Sequence, residues 1–454
     1  MNEISRLRFD ALASYARSPE IALFARELRW FEFDRERLLA AVVLDSDEEY
    51  SVVFMAKDLR ERYRGIRQSD FFDSLDALLA DLPATAERVL EGLDEERAQG
   101  DDIRPPVDFF APLRPSEQLN PAFVHLATEE GFSPAREIIQ PMMRWHEDVD
   151  GNFVEQFQTT GFHPRIWELY LFAAFNEAGF VIDQSKPAPD LILEGLDAHM
   201  CVEATTINPS LDSAGNVVPP PSTDTPEAEA AYMREYLPIR YAGALIKKLE
   251  KRYWERAHVQ DKPLVFAIQD FHAPMSMTWS RSGLVRYLYG YDHLPSRTVD
   301  GDLVITPQAV EKHGWGSKEV ASGFFMLPGS EHVSAVIFNA SATISKFNRI
   351  GHIAGFGSQR VRLIRQGTVV DRDPNASEPR TFAVEVRPGT YNETWVEGMD
   401  VFHNPSAKHP LDPEVLPGAA HHHLRDDRQI GTVLPEWYAL ASLTHIFVSR
   451  EGEE

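Results

Sequence analysis

The sequence predicts a mixed protein of the α+β or α/β class, and two observations support this prediction. Apolar runs of strand length alternate along the chain with segments of helical periodicity. From Gly161 onward, one helix, three short strands, a second helix and a fourth strand follow in order. Hydrophobic residues make up 43% of the 454 residues, which is ample for a packed core.

Changes in composition and periodicity divide the chain into four expected ranges. They are an N-terminal α+β domain over residues 1–100, a linker or irregular connection over 101–160, a central core over 161–270 and a mixed, β-rich C-terminal region over 271–454. The linker is predicted because prolines are concentrated between residues 101 and 120.

The N-terminal range has the pattern of a hairpin followed by helices. Residues 38–44 and 50–55 are apolar runs separated by an acidic turn, which predicts two paired strands. Helical periodicity follows over residues 69–82 and 84–96, with Ser69 as the candidate N-cap. No group of chemically reactive residues occurs here, so the roles left open for this range are contact with another protein as an adaptor, dimerisation and the steering of a substrate.

The central range has the most regular pattern. Its expected elements are a helix over 163–175, strands over 180–182, 189–193 and 199–206, a helix over 230–256 and a strand over 264–268. A turn at 194–197 predicts that the second and third strands form a hairpin. Beyond this range, further strands are expected at 332–342, 359–364, 381–386 and 445–448.

The charge and the cysteine content exclude several classes of protein. A net charge of −25 excludes a protein that coats nucleic acid non-specifically, because phosphate contacts supply most of that affinity. It leaves open a nuclease whose cations are confined to one cleft. No apolar run approaches the roughly 18 residues of a membrane helix and no secretory signal is visible, so we expect no membrane partner. With Cys201 as its one cysteine, the protein is expected in the cytoplasm.

Three carboxylates mark the predicted site: Glu168, Asp190 and Glu203. Asp190 begins one strand of the hairpin and Glu203 lies near the end of its partner, so the turn can bring them side by side. Glu168 lies on the preceding helix among apolar residues, where a buried carboxylate rarely lacks a partner. Mg²⁺ prefers such oxygen ligands, and it activates water for phosphodiester hydrolysis. For each residue alone, a turn aspartate or a solvated surface charge is the alternative.

Pro189-Asp190, Glu203-Ala204-Thr205 and the order of elements around them resemble the PD-(D/E)XK nuclease superfamily. The resemblance covers residues 160–270 and implies a restriction-endonuclease-like αβββαβ core. It further implies that Asp190 and Glu203 bind Mg²⁺ or Mn²⁺, and that Glu168 binds the ion directly or through water. One position departs from the motif. Thr205 stands where the superfamily has a lysine near the attacking water, and a threonine cannot supply a positive charge.

Two explanations compete for the missing lysine. The helix after the hairpin carries Arg240, Lys247, Lys248 and Lys251, and Arg240, Lys247 and Lys251 share one helical face. Lys247 or Arg240 is therefore predicted to stand in for the lysine. Alternatively, the site is degenerate and the domain binds nucleic acid or a partner without cleavage. A solvated amphipathic face is the ordinary role of such a helix.

A second basic segment predicts a surface that binds nucleic acid. Residues 332–370 contain no Asp or Glu, although the chain is strongly acidic. The cations of this stretch are Lys346, Arg349, Arg360, Arg362 and Arg365. They are interpreted as phosphate contacts beside the carboxylates. A β-rich segment with solvated basic positions is the alternative.

These features predict a metal-dependent endonuclease that hydrolyses phosphodiester bonds, with DNA favoured over RNA as substrate. Prokaryotic defence is a context suggested by superfamily habit alone. One alternative is a non-catalytic protein that binds nucleic acid or a partner on a degenerate nuclease core. Another is a metal-free structural protein in which the carboxylates are surface charges.

Overall fold

The computed structural model describes residues 1–101, 105–146, 148 and 151–450. Its architecture is mixed α/β, with several sheets and with helices distributed along the chain, as the sequence predicts. No helix in these ranges combines the length and the apolar character needed to cross a bilayer.

The N-terminal unit is built on an antiparallel sheet. Its elements are β1 (Asn2–Ile4), α1 (Arg6–Ala13), β2 (Ala25–Phe33), β3 (Leu38–Asp45), β4 (Tyr50–Lys57), β5 (Tyr63–Gln68) and α2 (Leu75–Glu91). The strands pair in sequence order, and the predicted hairpin is the β3–β4 pair. β3 is apolar from Leu38 to Leu44, and both of its faces are covered. Ala40 and Val42 cluster with buried side chains of α2, whereas Leu39 and Ala41 contribute to the main core.

The helical segment after this sheet differs from the prediction. One principal helix, α2, replaces the two predicted helices, and a short helix α3 (Leu93–Glu96) follows it. The N-cap is Ser74 rather than Ser69, and its hydroxyl accepts a hydrogen bond from a backbone N–H of the first turn. Pro83 lies inside α2, where buried side chains on the inner face keep the helix continuous despite the missing N–H.

The range 101–160 contains three helices, which corrects the prediction of an irregular connection. They are α4 (Pro121–Thr128), α5 (Ser133–Trp145) and α6 (Phe153–Gln158). The prediction rested on the prolines of residues 101–120, and the three helices all lie after that stretch, so the connection was extended too far along the chain. Pro134 occupies the first turn of α5, where no N–H is needed. Pro141 lies within α5, whose inner face is buried in the main core. Residues 102–104, 147, 149 and 150 of this range lie outside the described residues.

The central range contains the predicted succession of helix, three strands, helix and strand. Its elements are α7 (Phe162–Glu177), β6 (Val181–Asp183), β7 (Leu191–Glu194), β8 (His199–Ile207), β9 (Ser210–Leu211), β10 (Val217–Val218), α8 (Pro226–Ala231), α9 (Leu237–Leu249) and β11 (Leu264–Asp270). A π-helical turn, Tyr232–Tyr236, joins α8 to α9. β6, β7 and β8 are antiparallel neighbours, whereas β8 and β11 run parallel.

The C-terminal region continues the same sheet. Its elements are α10 (Arg281–Tyr289), β12 (Tyr291–Arg297), β13 (Leu303–Ala309), β14 (Lys312–Trp315), β15 (Lys318–Ala321), β16 (Ala335–Asn339), α11 (Ile344–Ile353), β17 (Val361–Val369), β18 (Arg380–Val386), β19 (Met399–His403), β20 (Ala420–Leu424), β21 (Ile430–Val433) and β22 (Ala439–Val448). The main sheet has eight strands in the order β21-β20-β19-β16-β11-β8-β7-β6. The boundary predicted at residue 270 therefore falls inside one sheet.

Residues 332–370, the stretch without Asp or Glu, were predicted to face phosphates. The cations at the centre of this stretch do not form that surface. Lys346, Arg349 and Arg365 are at most 1% exposed. Arg349 donates two hydrogen bonds of 2.7 Å to the carboxylate of Glu393, and Lys346 donates one of 3.2 Å. Arg365 donates to Glu397 over 2.6 Å. These three cations are buried in a cluster with two carboxylates, so the prediction that Lys346 and Arg349 contact nucleic acid was wrong.

Arg360 and Arg362 are also paired with carboxylates, although they are more exposed. Arg360 Nε donates to Glu130 over 2.8 Å, and Arg362 Nε donates to Glu385 over 3.1 Å. Both carboxylates lie outside residues 332–370 in the sequence. A count of acidic residues within that stretch therefore predicted the wrong surface. This stretch therefore does not present the continuous positive surface that was predicted.

Glu393 is the buried carboxylate that the three buried cations share. Burial by itself would raise its pKa, but the surrounding cations hold the pKa of Glu393 well below its ordinary value. We expect Glu393→Ala to lower the free energy of unfolding by about 3–5 kcal/mol, because it leaves buried cations without their shared partner. Glu385→Ala, which removes a more exposed pairing, should cost much less. Urea unfolding followed by circular dichroism measures both, and equal losses would contradict the assignment.

Candidate active site

Glu203 is a charged side chain on β8, an interior strand of the main sheet, and it is only 3% exposed. Its Oε1 accepts a hydrogen bond of 2.6 Å from the hydroxyl of Tyr253 and a charged hydrogen bond from the ammonium of Lys248. Its Oε2 is buried and has no hydrogen-bond partner in the part of the chain that the structure describes. One oxygen is thus doubly satisfied and the other is open, which is unusual for a buried carboxylate.

The partners of Glu203 come from α9 and from the turn that follows it. Lys248 lies beside the buried stripe of α9 that contains Leu245 and Leu249. Tyr253 follows a residue in the left-handed region, Arg252, at φ 50°, and its ring is fully buried. The end of this helix is therefore arranged so that two donors converge on one oxygen of Glu203.

Asp190 lies directly across from Glu203. Leu191 pairs with Val202 in the antiparallel register of β7 and β8, so one further step places Asp190 opposite Glu203, on the same face. The Oδ2 of Asp190 accepts a hydrogen bond of 2.7 Å from the backbone N–H of Ala204. Burial, followed by the charges of nearby carboxylates, raises the pKa of Asp190 to about 7.

Glu168 is the third carboxylate, and it reaches the group from α7. It accepts a hydrogen bond of 2.5 Å from Arg165, one turn earlier on the same helix. Burial raises the pKa of Glu168, and the charge of Glu203 raises it further, while Arg165 and Lys248 oppose this effect. Glu168 and Asp190 line one small cavity. The charge of Glu203 raises the pKa of both, so the three predicted carboxylates interact as one group.

This group fits a hard divalent cation, although it is not a preformed protein cage. No set of three or more His, Cys, Asp and Glu side chains is arranged to hold a metal ion by itself in the described part of the chain. Mg²⁺, however, is usually bound through one or two carboxylates together with water and substrate phosphate. The open Oε2 of Glu203 and the raised pKa of Asp190 both indicate unsatisfied negative charge, which a bound cation would offset.

The predicted replacements for the missing lysine do not contact the carboxylates. Arg240 donates to the hydroxyl of Ser210 and to the carbonyl of Asn208, and Lys247 faces an open cleft. Lys248 contacts Glu203 instead, which corrects the choice of Lys247 or Arg240. The sequence carries a partial signal for this position. Lys248 follows Leu245 by three residues and Tyr241 by seven, which places it at the edge of the buried face rather than on the solvated one.

A cleft rich in positive charge adjoins this group, and we call it the cationic cleft. Its volume is about 440 Å³, and its charged lining consists of Arg240, Lys247, Lys248, Lys251 and Lys318. Thr205, which occupies the place of the motif lysine, also lines it. Lys248 lines the cleft and contacts Glu203, so this one side chain links the cleft to the carboxylate group.

The fold and the site define a class: a mixed α/β protein with a buried carboxylate group beside a cationic cleft. Comparisons with protein-family models, with curated proteins and with solved structures find no match for this chain. Any function therefore has to be argued from the geometry of the site itself.

The raised pKa of Asp190 predicts how stability depends on pH. Between an unfolded pKa of about 4 and the folded pKa of about 7, the carboxyl is protonated in the folded protein and ionised in the unfolded chain. Its contribution therefore favours folding at low pH and is lost as the pH rises through 7. Relative to Asp190→Asn, the wild type should lose up to about 1.4 kcal/mol of stability per pH unit in this window.

Urea unfolding between pH 5 and pH 8 tests this expectation. Asp197→Asn, at an exposed position of the β7–β8 turn, is the matched control and should keep the wild-type pH dependence. Parallel stability curves for the wild type and Asp190→Asn would show that Asp190 is not perturbed.

Proposed function

We propose that this protein is a metal-dependent nuclease with a restriction-endonuclease-like core. The observation that carries the proposal is the pairing of Asp190 with Glu203 across β7 and β8, with the Lys248 ammonium on one oxygen of Glu203 and the other oxygen open. Two acidic ligands beside one cation are what hydrolysis of a phosphodiester needs.

The order of elements supports the same proposal. α7, the three antiparallel strands β6, β7 and β8, helix α9 and the parallel strand β11 form an αβββαβ arrangement. The Pro-Asp dipeptide precedes the second strand, and Glu203-Ala204-Thr205 lies toward the end of the third. These are the places that the resemblance to the PD-(D/E)XK superfamily implies for its two acidic motifs.

Each residue of the group then has a distinct role. Asp190 and Glu203 would hold Mg²⁺ or Mn²⁺, and Glu168 would bind it directly or through water. The bound ion would polarise a phosphoryl oxygen and lower the pKa of a water. Lys248 supplies the positive charge that Thr205 cannot, and it is held in place by its contact with Glu203. Tyr253 is a positioning residue, because its hydroxyl fixes the orientation of the Glu203 carboxylate.

One observation favours the alternative of a non-catalytic binding protein on the same core. Lys248 already offsets the charge of Glu203, and a lysine that served only this purpose would make a stable site without metal. The two candidates differ in a single measurable property, which is cleavage of nucleic acid that depends on a divalent cation.

Lys248→Met should separate these roles. We expect it to lower kcat for cleavage by about 10²–10³, because one electrostatic contact to the transition state is lost, while Mg²⁺ affinity is largely retained. Lys248→Arg should recover part of the rate because it keeps the charge. Asp190→Asn should abolish metal-dependent cleavage, and Lys408→Met, at an exposed lysine that pairs with Glu331, is the matched control.

The assay uses single- and double-stranded DNA and RNA, each with Mg²⁺ and with Mn²⁺, and isothermal titration calorimetry reports metal affinity. Absence of cleavage of every substrate by the wild type would replace the nuclease with the binding protein. Cleavage that persists in Asp190→Asn would place the active site elsewhere.

Tyr253→Phe tests the positioning of Glu203. The substitution removes only the hydroxyl that donates to Oε1, so the ring remains packed. Loss of such a supporting hydrogen bond typically weakens metal affinity or activity by about 10–100-fold. We expect this loss in Mg²⁺ affinity measured by calorimetry, with little change in thermal stability. Tyr287→Phe, at a buried tyrosine whose hydroxyl has no partner, is the control and should bind Mg²⁺ as the wild type does.

A further inference from the structure

We propose that the cationic cleft binds the phosphates of a single nucleic-acid strand and leads that strand to the carboxylate group. This inference rests on the proposed nuclease function and adds to it the form of the substrate and the residues that hold it. It also replaces the incorrectly predicted surface at Lys346 and Arg349 with a different one.

The charged side chains that line the cationic cleft are all positive. The chain carries a net charge of −25, yet no acidic residue lines this cleft. Lys247, Lys251 and Lys318 are exposed, and none of them has an ion-pair partner among the residues that the structure describes. Cations left unpaired together in so acidic a protein indicate a site for a polyanion.

The cationic cleft also lies next to the carboxylate group. Thr205 follows Glu203 by two residues on the same face of β8, a distance of about 7 Å along the strand. Lys248 joins the two sites because it contacts Glu203 and lines the cleft. From Lys248 back to Arg240, the helix covers about 12 Å. Stacked nucleotides rise about 3.4 Å each, so this length matches three to four phosphates of one strand.

The size of the cleft indicates whether it accepts a single nucleic-acid strand or a duplex. The cleft is lined by residues of α9, by the end of β8 and by Lys318 of the β14–β15 hairpin. A volume of about 440 Å³ is that of a small-molecule pocket. A duplex, whose major groove alone is about 12 Å wide, is too large to enter it. The cleft therefore suits a single strand or an unpaired end.

Binding measured without metal tests the inference separately from catalysis. Fluorescence anisotropy in EDTA, over a series of NaCl concentrations, would use a labelled 12-nucleotide DNA strand, the same sequence as RNA and the corresponding duplex. We expect either single strand to bind more tightly than the duplex. The affinity should fall with salt by about 0.7 log units per log unit of salt for each phosphate contact.

The triple variant Lys247→Gln/Lys251→Gln/Lys318→Gln removes three of these contacts. It should lower the salt dependence by about 2 and the affinity at 0.1 M salt by about 100-fold, which is about fivefold for each contact. Arg26→Gln/Arg35→Gln/Lys408→Gln removes the same formal charge from exposed positions outside the cleft and should bind as the wild type does. Circular dichroism would verify that both variants are folded.

The outcomes separate this inference from the proposed function. Wild-type affinity in the cleft variant, equal loss in the control variant, or duplex binding as tight as that of a single strand would overturn the inference. If the wild type nevertheless cleaves nucleic acid, the nuclease proposal stands without the cleft. Binding through the cleft without cleavage in Mg²⁺ or Mn²⁺ would overturn the nuclease proposal and leave the binding site.

Discussion

Glu203 is buried in the main sheet, and the arrangement of its surroundings follows from the cost of burying that charge. A buried carboxylate needs a cation and hydrogen-bond donors, and α9 and the turn after it supply both through Lys248 and Tyr253. Asp190 lies across the strand pair and is held to the backbone of Ala204, so a second acidic group is fixed beside the first. Burial, and after it the charges of the neighbouring carboxylates, favour the protonated form of Asp190, which is why its pKa rises.

The distribution of positive charge follows from the same requirement. Many cations of this acidic chain are used to offset buried carboxylates, as Lys346, Arg349 and Arg365 do around Glu393 and Glu397. The cations of the cleft differ, because Lys247, Lys251 and Lys318 remain exposed beside one another. A net charge of −25 therefore describes the average surface and conceals one local region of opposite sign. Recognition of a phosphate chain would depend on that local region.

Much of the central unit could be predicted from the sequence, because local patterns determine it. Periodicity gave the helix, the three strands, the second helix and the parallel strand, and the turn between β7 and β8 placed Asp190 opposite Glu203. The helices at 121–158 were missed because the connection predicted from the prolines of residues 101–120 was extended over the residues that follow, where Pro134 and Pro141 are accommodated within α5. The unpredicted helix α11 carries Lys346 and Arg349 on positions that are charged yet buried, a pattern that hydrophobic periodicity does not identify.

The sequence by itself determined the order of the main elements around the site, the acidic residues of the site and the absence of a lysine at Thr205. Only the tertiary structure decided which cation reaches those acidic residues. Arg240, Lys247, Lys248 and Lys251 are close together along one helix, and their different roles depend on which side of α9 packs against the sheet. That packing is set by burial of the apolar residues of α9 in the main core. A charge pair between residues 45 positions apart is therefore a consequence of how the helix packs, and no spacing along the chain specifies it.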